Sequence, residues 1–258
     1  MDRQTFRDAI ALRMGVDLPD PFPTHCPSCG EADFDVRHAL KCKAGDWVRR
    51  RHDEVVKAWM ALFRRTSPTV VPEPHLAAPI GLQRKTTSRK VGARADIMAT
   101  GIQRPGQNTF VDVAVLDTGA ESYLGKKALT VLRDKEQRKT AKYEERAQML
   151  GGTFVPLVCS VFGTLAPESV KLLSHIVGEL KEEQPETRCT TKMQRVALQV
   201  AILKATSLCL RARSVESLPE APEPHGYEDC RVAHADARPA LDDGPLPPRG
   251  SAAPAVAV

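Results

Sequence analysis

The spacing Cys26-x2-Cys29-x8-His38-x3-Cys42 constrains this chain more than any other feature, because it closes a short segment around one small volume. Thiolates and a neutral imidazole are the donors that tetrahedral Zn²⁺ prefers, and two short clips bring four of them together. Four protein ligands leave no open coordination position, so the spacing predicts a structural zinc site made by Cys26, Cys29, His38 and Cys42. The segment has too few apolar residues to fold alone, and zinc binding can contribute on the order of 10 kcal/mol to such a unit. His25 is a competing ligand by chemistry, but it adjoins Cys26, and His38 fits the clip better. Cys159, Cys189, Cys209 and Cys230 are scattered without regular spacing, which points to buried thiols and not to a disulfide framework.

A chain of 258 residues with 42% hydrophobic content can bury a substantial core. No apolar run approaches the ~18 residues of a membrane span, and the first residues carry no signal-peptide pattern, so the expectation is a soluble intracellular protein with no membrane partner. The net charge of +5 hides a division. Residues 215–258 hold eight acids and three Arg, which leaves residues 1–214 with 34 basic against 24 acidic side chains. A basic body favours a polyanionic partner through counterion release, although a merely soluble basic surface fits the charge equally.

Phe6, Ile10, Leu12 and Met14 predict a short amphipathic helix that stops near Gly15, within a segment 1–23 that reads as the end of a larger unit. The knuckle occupies 24–45. Asp46 is placed to cap a helix running to about Arg65, with Val48, His52, Val55, Val56, Trp59, Leu62 and Phe63 on one side, ended by SPTVVPEP. On that apolar side His52 reads as a packed or capping histidine ahead of a fifth ligand or a base, and Glu54 as a surface residue ahead of a third carboxylate. Residues 76–93 read as a loop rich in Arg and Lys. RADIMAT and TFVDVAVLD read as strands joined by a turn at RPGQN. Pairing residues whose numbers sum to about 208 sets Asp96 opposite Asp112 and brings both carboxylates to one face. A charged helix over 126–150, with Ala128, Leu129, Leu132, Ala141 and Met149 at helical spacing, ends at Gly151-Gly152. A buried strand TFVPLVCSVFG and a helix opened by Pro167 complete a domain over 46–184. A helix lies in 185–213, and an acidic Pro- and Ala-rich tail over 214–258 reads as disordered.

Phosphodiester hydrolysis needs carboxylates to hold Mg²⁺ and a cation to offset charge on the phosphate. Asp96 and Asp112 suit the first role. Lys139 and Lys142, three apart on the predicted helix with Tyr143 one turn after Lys139, suit the second. Each element also has a plainer reading: a turn Asp, a solvated Lys-rich face, a packed Tyr.

Taken in order, Cys26, Cys29, His38 and Cys42, then Arg51-His52-Asp53, then Arg94-Ala95-Asp96, Asp112 and Lys139-Thr140-Ala141-Lys142-Tyr143, the chain resembles a known family over about residues 24–177. It is similar to the C-terminal region of non-LTR retrotransposon proteins that carry a CCHC zinc knuckle and a restriction-enzyme-like endonuclease. The resemblance implies an α/β fold of the PD-(D/E)XK kind, a mixed sheet flanked by helices, preceded by the knuckle. It further implies Mg²⁺-dependent nicking of a DNA target strand, structural Zn, catalytic Mg, a nuclear location, and DNA with element RNA as partners. Asp96, Asp112, Lys139, Lys142 and Tyr143 would be catalytic, Asp96 and Asp112 would hold Mg, and Arg84, Lys85, Arg89, Lys90 and Arg94 would contact nucleic acid. Ala95 departs from the usual Pro. Ala114 stands where ordinary members of the fold have a strand Lys, so the positive charge would come from the helix. No Tyr-x-Asp-Asp polymerase motif occurs, so the expectation is a terminal fragment that does not polymerise. Two other readings compete with the enzyme: a nucleic-acid-binding remnant that has lost cleavage, and an unrelated zinc-stabilised interaction protein.

Overall fold

The computed structural model describes residues 1–18, 23–31, 34–76, 93–183 and 190–211. Met1–Glu216 forms one compact unit, and the second unit, Ser217–Val258, lies outside the described residues. So do the predicted tail, Cys189 and Cys230. The chain is an α/β protein with helices α1 (Arg3–Met14), α2 (Val36–Lys41), α3 (Trp47–Phe63), α4 (Ala128–Met149), α5 (Pro167–Glu183) and α6 (Thr191–Arg211). Strands β1 (Val70–Pro72), β2 (Ile97–Thr100), β3 (Asn108–Leu116) and β4 (Thr153–Ser160) form one mixed sheet in that order. Among the described residues no helix is long and apolar enough to cross a membrane.

The β2–β3 hairpin pairs Ile97 with Val111 and Thr100 with Asn108, the register in which paired numbers sum to 208. Strands β3 and β4 run parallel, with α4 as the crossover between them. Alternation along the strands then sorts side chains to two faces. Ile97, Ala99, Val111, Val113, Val155, Leu157 and Cys159 pack with Val55, Trp59 and Phe63 of α3, with α5 and with α6. The opposite face, carrying Phe110, Ala114, Leu116, Phe154 and Val158, is covered by Val131, Leu132, Tyr143 and Ala147 of α4. Trp59 and Phe63, one helical turn apart, stack at 5.9 Å and are fully buried. Each large apolar side chain so buried contributes roughly 1.5–3 kcal/mol.

Several expectations are corrected. Helix α1 ends at Gly15 in a left-handed cap, as its spacing predicts, but Phe6, Ile10 and Met14 face outward and Asp8, Ala9 and Ala11 face inward. The reason is an ion pair. Asp8, fully buried, accepts from Ser207 Oγ (2.7 Å) and Arg211 Nε (2.9 Å) of α6, and the alanines beside it let the two helices approach. Asp46 makes no side-chain cap, because it is itself left-handed at φ 57°, at the end of a 3-10 turn over Ala44–Asp46. The SPTVVPEP segment does more than end α3, since it supplies β1, the edge strand of the sheet among the described residues, where Pro72 is tolerated. The strand in RADIMAT begins only at Ile97, with Arg94 in a lone bridge to His75.

On α4 the predicted apolar positions Ala128, Leu129, Ala141 and Met149 are exposed, while Glu136 and Tyr143 are buried. Polar groups occupy the inner face because they have partners there. Glu136 Oε1 accepts from the Glu168 amide (2.9 Å) and caps the start of α5 from outside that helix. Burial pushes its carboxyl above the usual range.

Gly152 closes the turn from α4 into β4 against the hairpin. A Cβ there would lie 2.6 Å from the Asn108 carbonyl and 2.7 Å from the Phe110 ring. Gly152→Ala is expected to cost about 1–3 kcal/mol, read as a lower midpoint in denaturant with an unchanged slope.

Candidate metal centre and active site

The chain enters the knuckle through a tight turn. The Cys26 amide donates to Glu31 O (2.8 Å), the Gly30 amide returns to Cys26 O (2.8 Å), and Gly30 takes φ 75°. Asp35 then caps α2 by accepting from the His38 amide (2.6 Å). His38 and Cys42, four residues apart, fall on one side of that helix end, and the Cys42 amide donates to His38 O (2.8 Å). Cys26, Cys29, His38 and Cys42 thereby present ligand atoms that all lie within 4.8 Å of one another, a group that can hold a metal ion. Cys26 Sγ and Cys42 Sγ are 4.0 Å apart, and Cys29 Sγ and His38 Nε2 are 3.3 Å apart. A tetrahedron with zinc-length bonds has edges of roughly 3.5–3.8 Å, so the donor set and its spread both suit zinc.

The surroundings act differently on the two clip thiols: at Cys29 the Glu31 amide favours the thiolate, but desolvation and the sulfurs of Cys26 and Cys42 outweigh it and raise the thiol. Burial raises the Cys26 thiol, but the amides of Cys29 and Ser28 pointing at its sulfur outweigh that and bring it down to about 7. His38 Nδ1 faces Glu31 Oε2 at 3.2 Å, leaving Nε2 for the thiolates, which is the usual carboxylate support of a metal-bound histidine. His25 is exposed, bonded to Thr24 Oγ1 at 3.0 Å, and outside the group. Cys159 and Cys209 are buried apart from it, and burial pushes Cys159 up to about 12 against the pull of Arg51.

The knuckle is packed into the body. Cys26, Ala39, Leu40 and Cys42 share an apolar cluster with Ala11, Leu18, Val161 and Leu210. Cys209 Sγ of α6 donates to Ala39 O (3.3 Å), and the buried Arg51 of α3 donates through an Nη atom to Leu40 O (3.2 Å).

A second cluster lies where β2 stops short of the end of β3. Asp96 immediately precedes β2, and its Oδ2 accepts from the Val113 amide at 2.6 Å, standing in for the missing strand. Asp112 lies on β3, buried, its Oδ2 paired with Lys139 Nζ. Lys139 Nζ also donates to Val113 O (3.4 Å), so both carboxylates and the ammonium gather around one residue of β3. Burial pulls the Lys139 ammonium down to about 8, with Asp96 opposing and Lys142 reinforcing. Ala114 is buried against Val131 and Leu132, so α4 and not β3 supplies the lysine here.

His52 joins this cluster. Its Nε2 lies 3.2 Å from Asp96 Oδ2 and its Nδ1 3.3 Å from Asp53 Oδ1. Burial works against its charged form, but the two carboxylates outweigh burial and raise it above its ordinary value. Helical periodicity put His52 on a packed face and missed this contact. The usable signal was its place between Arg51 and Asp53.

Lys142 is exposed, its Nζ 4.3 Å from the Tyr143 ring centre and donating to Tyr143 Oη (2.6 Å). Tyr143 is buried against Phe154, ring centres 5.2 Å apart, and faces the core more than the carboxylates. Glu54 pairs with Lys57 at 2.7 Å on the surface. Arg94 is exposed and pairs with Glu73 at 3.5 Å. Arg84, Lys85, Arg89 and Lys90 lie outside the described residues.

The sequence matches no protein-family model, and no curated protein matches it.

Proposed function

We propose that this chain is a Mg²⁺-dependent DNA endonuclease of the restriction-enzyme-like kind carried by non-LTR retrotransposon proteins, cutting one strand of a duplex. The observation that carries the reading is the gathering of Asp96, Asp112 and Lys139 around Val113, with the knuckle packed into the same unit. The order helix, three antiparallel-linked strands, crossover helix, parallel strand agrees with the fold that the resemblance implies.

Two carboxylates, one just ahead of β2 and one on β3, are hard oxygen donors of the type Mg²⁺ selects. The contacts with the Val113 amide, His52 and Lys139 are all made through Oδ2 of the two carboxylates, and a cation would be held through their Oδ1 atoms. A bound divalent cation would polarise the phosphate and make its water a stronger nucleophile at neutral pH. His52 and the Val113 amide fix the Asp96 carboxylate. Lys139 supplies positive charge beside Asp112, where a low-dielectric wall strengthens it. Lys142, on the exposed side of the same helix, is available to a backbone phosphate. The basic body attracts DNA, and element RNA by the same charge, in the nucleus.

Conversion of supercoiled plasmid to the nicked form in Mg²⁺ is the test. Wild type should nick, chelator should stop it, and Asp96→Ala should lose at least about 10²-fold. Activity that survives the substitution would overturn the site assignment. The second reading, a binding remnant, draws on the pairing of both carboxylates with protein cations, Asp112 with Lys139 and Asp96 with His52. DNA binding by the wild type without any nicking would select it.

A further inference from the structure

We propose that Arg51 is a positioning residue through which the metal state of the knuckle sets the place of His52 and Asp96. The functional consequence rests on the reading of Asp96 and Asp112 as a cation site. The coupling itself rests on contacts of this chain alone.

Three consecutive residues of α3 do three different things. Arg51, 4% exposed, sends its guanidinium to Leu40 O at 3.2 Å. His52 reaches Asp96 at 3.2 Å, and Asp53 holds the other ring nitrogen at 3.3 Å. Leu40 sits in the last turn of α2, between the ligands His38 and Cys42. Carbonyls in such a turn lack helical partners and favour a cation. A buried guanidinium cannot shed its charge, so it holds to its acceptors.

Val55, Trp59 and Phe63 hold the later turns of α3 in the core, while Arg51 and His52 lie ahead of them, so the Arg51 contact helps set the rotation of this end of α3 and the direction of His52. Rotation by about 20° would move a side-chain tip by about 2 Å, given a helix radius of roughly 5–6 Å. That is enough to break the contact with Asp96. When the four ligands close on a metal they fix the turn that carries Leu40 O. When they open, Arg51 loses this acceptor and His52 its aim.

The full chain, labelled with ¹⁵N, tests this with no DNA or Mg²⁺ present. The readouts are zinc content, the His52 ring resonances and hydrogen exchange of the Val113 amide. Arg51→Met, which keeps the stem but not the donors, should retain one zinc per chain, shift the His52 signals and speed Val113 exchange by about tenfold or more. Arg51→Lys should restore the His52 signals in part. Native His52 and Val113 signals in folded Arg51→Met would overturn the proposal. Should Arg51→Met not fold, chelation of zinc from wild type decides: a displaced His52 in a protein with retained helical circular dichroism supports the coupling, and an undisturbed His52 refutes it. Failure of the nuclease reading is separately visible, as His52 displacement on these tests in a protein that never nicks DNA.

Discussion

Asp112→Asn is expected to lower Mg²⁺-dependent nicking by about 10³-fold, because it removes one of two anionic oxygen donors and the counter-charge of Lys139 together. The same change should destabilise the fold. Lys139 is largely buried and its Nζ pairs with Asp112, so the substitution leaves an ammonium in a low-dielectric site without its paired anion and with Asp96 as the carboxylate still acting on it. Breaking such a pair from one side costs about 3–5 kcal/mol, and the remaining amide oxygen places the expected loss near the lower end.

The sign of its pH dependence follows from the direction of the shift. Burial pulls Lys139 down to about 8, below the ordinary value of about 10.4 that applies to the unfolded chain. Between those values the unfolded state binds more protons than the folded state, and stability rises with pH. Removing Asp112 lowers the Lys139 value further, so the penalty of Asp112→Asn is largest at lower pH and is lost by about pH 8, where the wild-type ammonium itself deprotonates. Urea denaturation of both proteins at about pH 7 and about pH 9.5 measures it. An equal penalty at both would contradict a buried charged pair.

Loss of the knuckle ion is the second large effect. Protein purified without chelator should contain close to one zinc per chain, and Cys29→Ser or removal of His38 should abolish that content. The expected cost is several kcal/mol, since metal binding in such a unit is folding free energy. Cys26, Ala39, Leu40 and Cys42 share a cluster with Ala11, Leu18, Val161 and Leu210, so the damage should spread into α1 and the end of α6. The cluster of α3, α5 and the sheet is separate and should hold longer. Limited proteolysis within residues 1–45 should accordingly be faster after zinc is removed than before. A zinc-free wild type of unchanged stability and protease resistance would refute the metal site.

Much of this could be read from the chain because it is local. The ligand spacing needs only a turn and one helical turn to close, and the knuckle does close that way. The register of β2 and β3 was legible because alternation and a short turn leave few ways to pair them. Helices α3 and α5 follow from apolar residues at helical spacing. Misreadings arose where burial was bought by a partner far along the sequence. Asp8 turns the face of α1 toward α6 only because Arg211 and Ser207 are waiting there, and Glu136 is buried only because the start of α5 needs an acceptor.

The sequence by itself determined the inventory: four soft ligands in a clip, two carboxylates set to share a face, and a helix of lysines after them. It could not choose which cation meets which carboxylate. Only the tertiary structure decided that Lys139 pairs with Asp112, that His52 leaves its apolar neighbours for Asp96, and that Arg51 turns back to Leu40. The physical reason is that periodicity fixes a side chain's direction relative to its own helix or strand. The partner it meets depends on how separate elements are rotated against one another, and buried charges settle that rotation by finding the few partners that satisfy them.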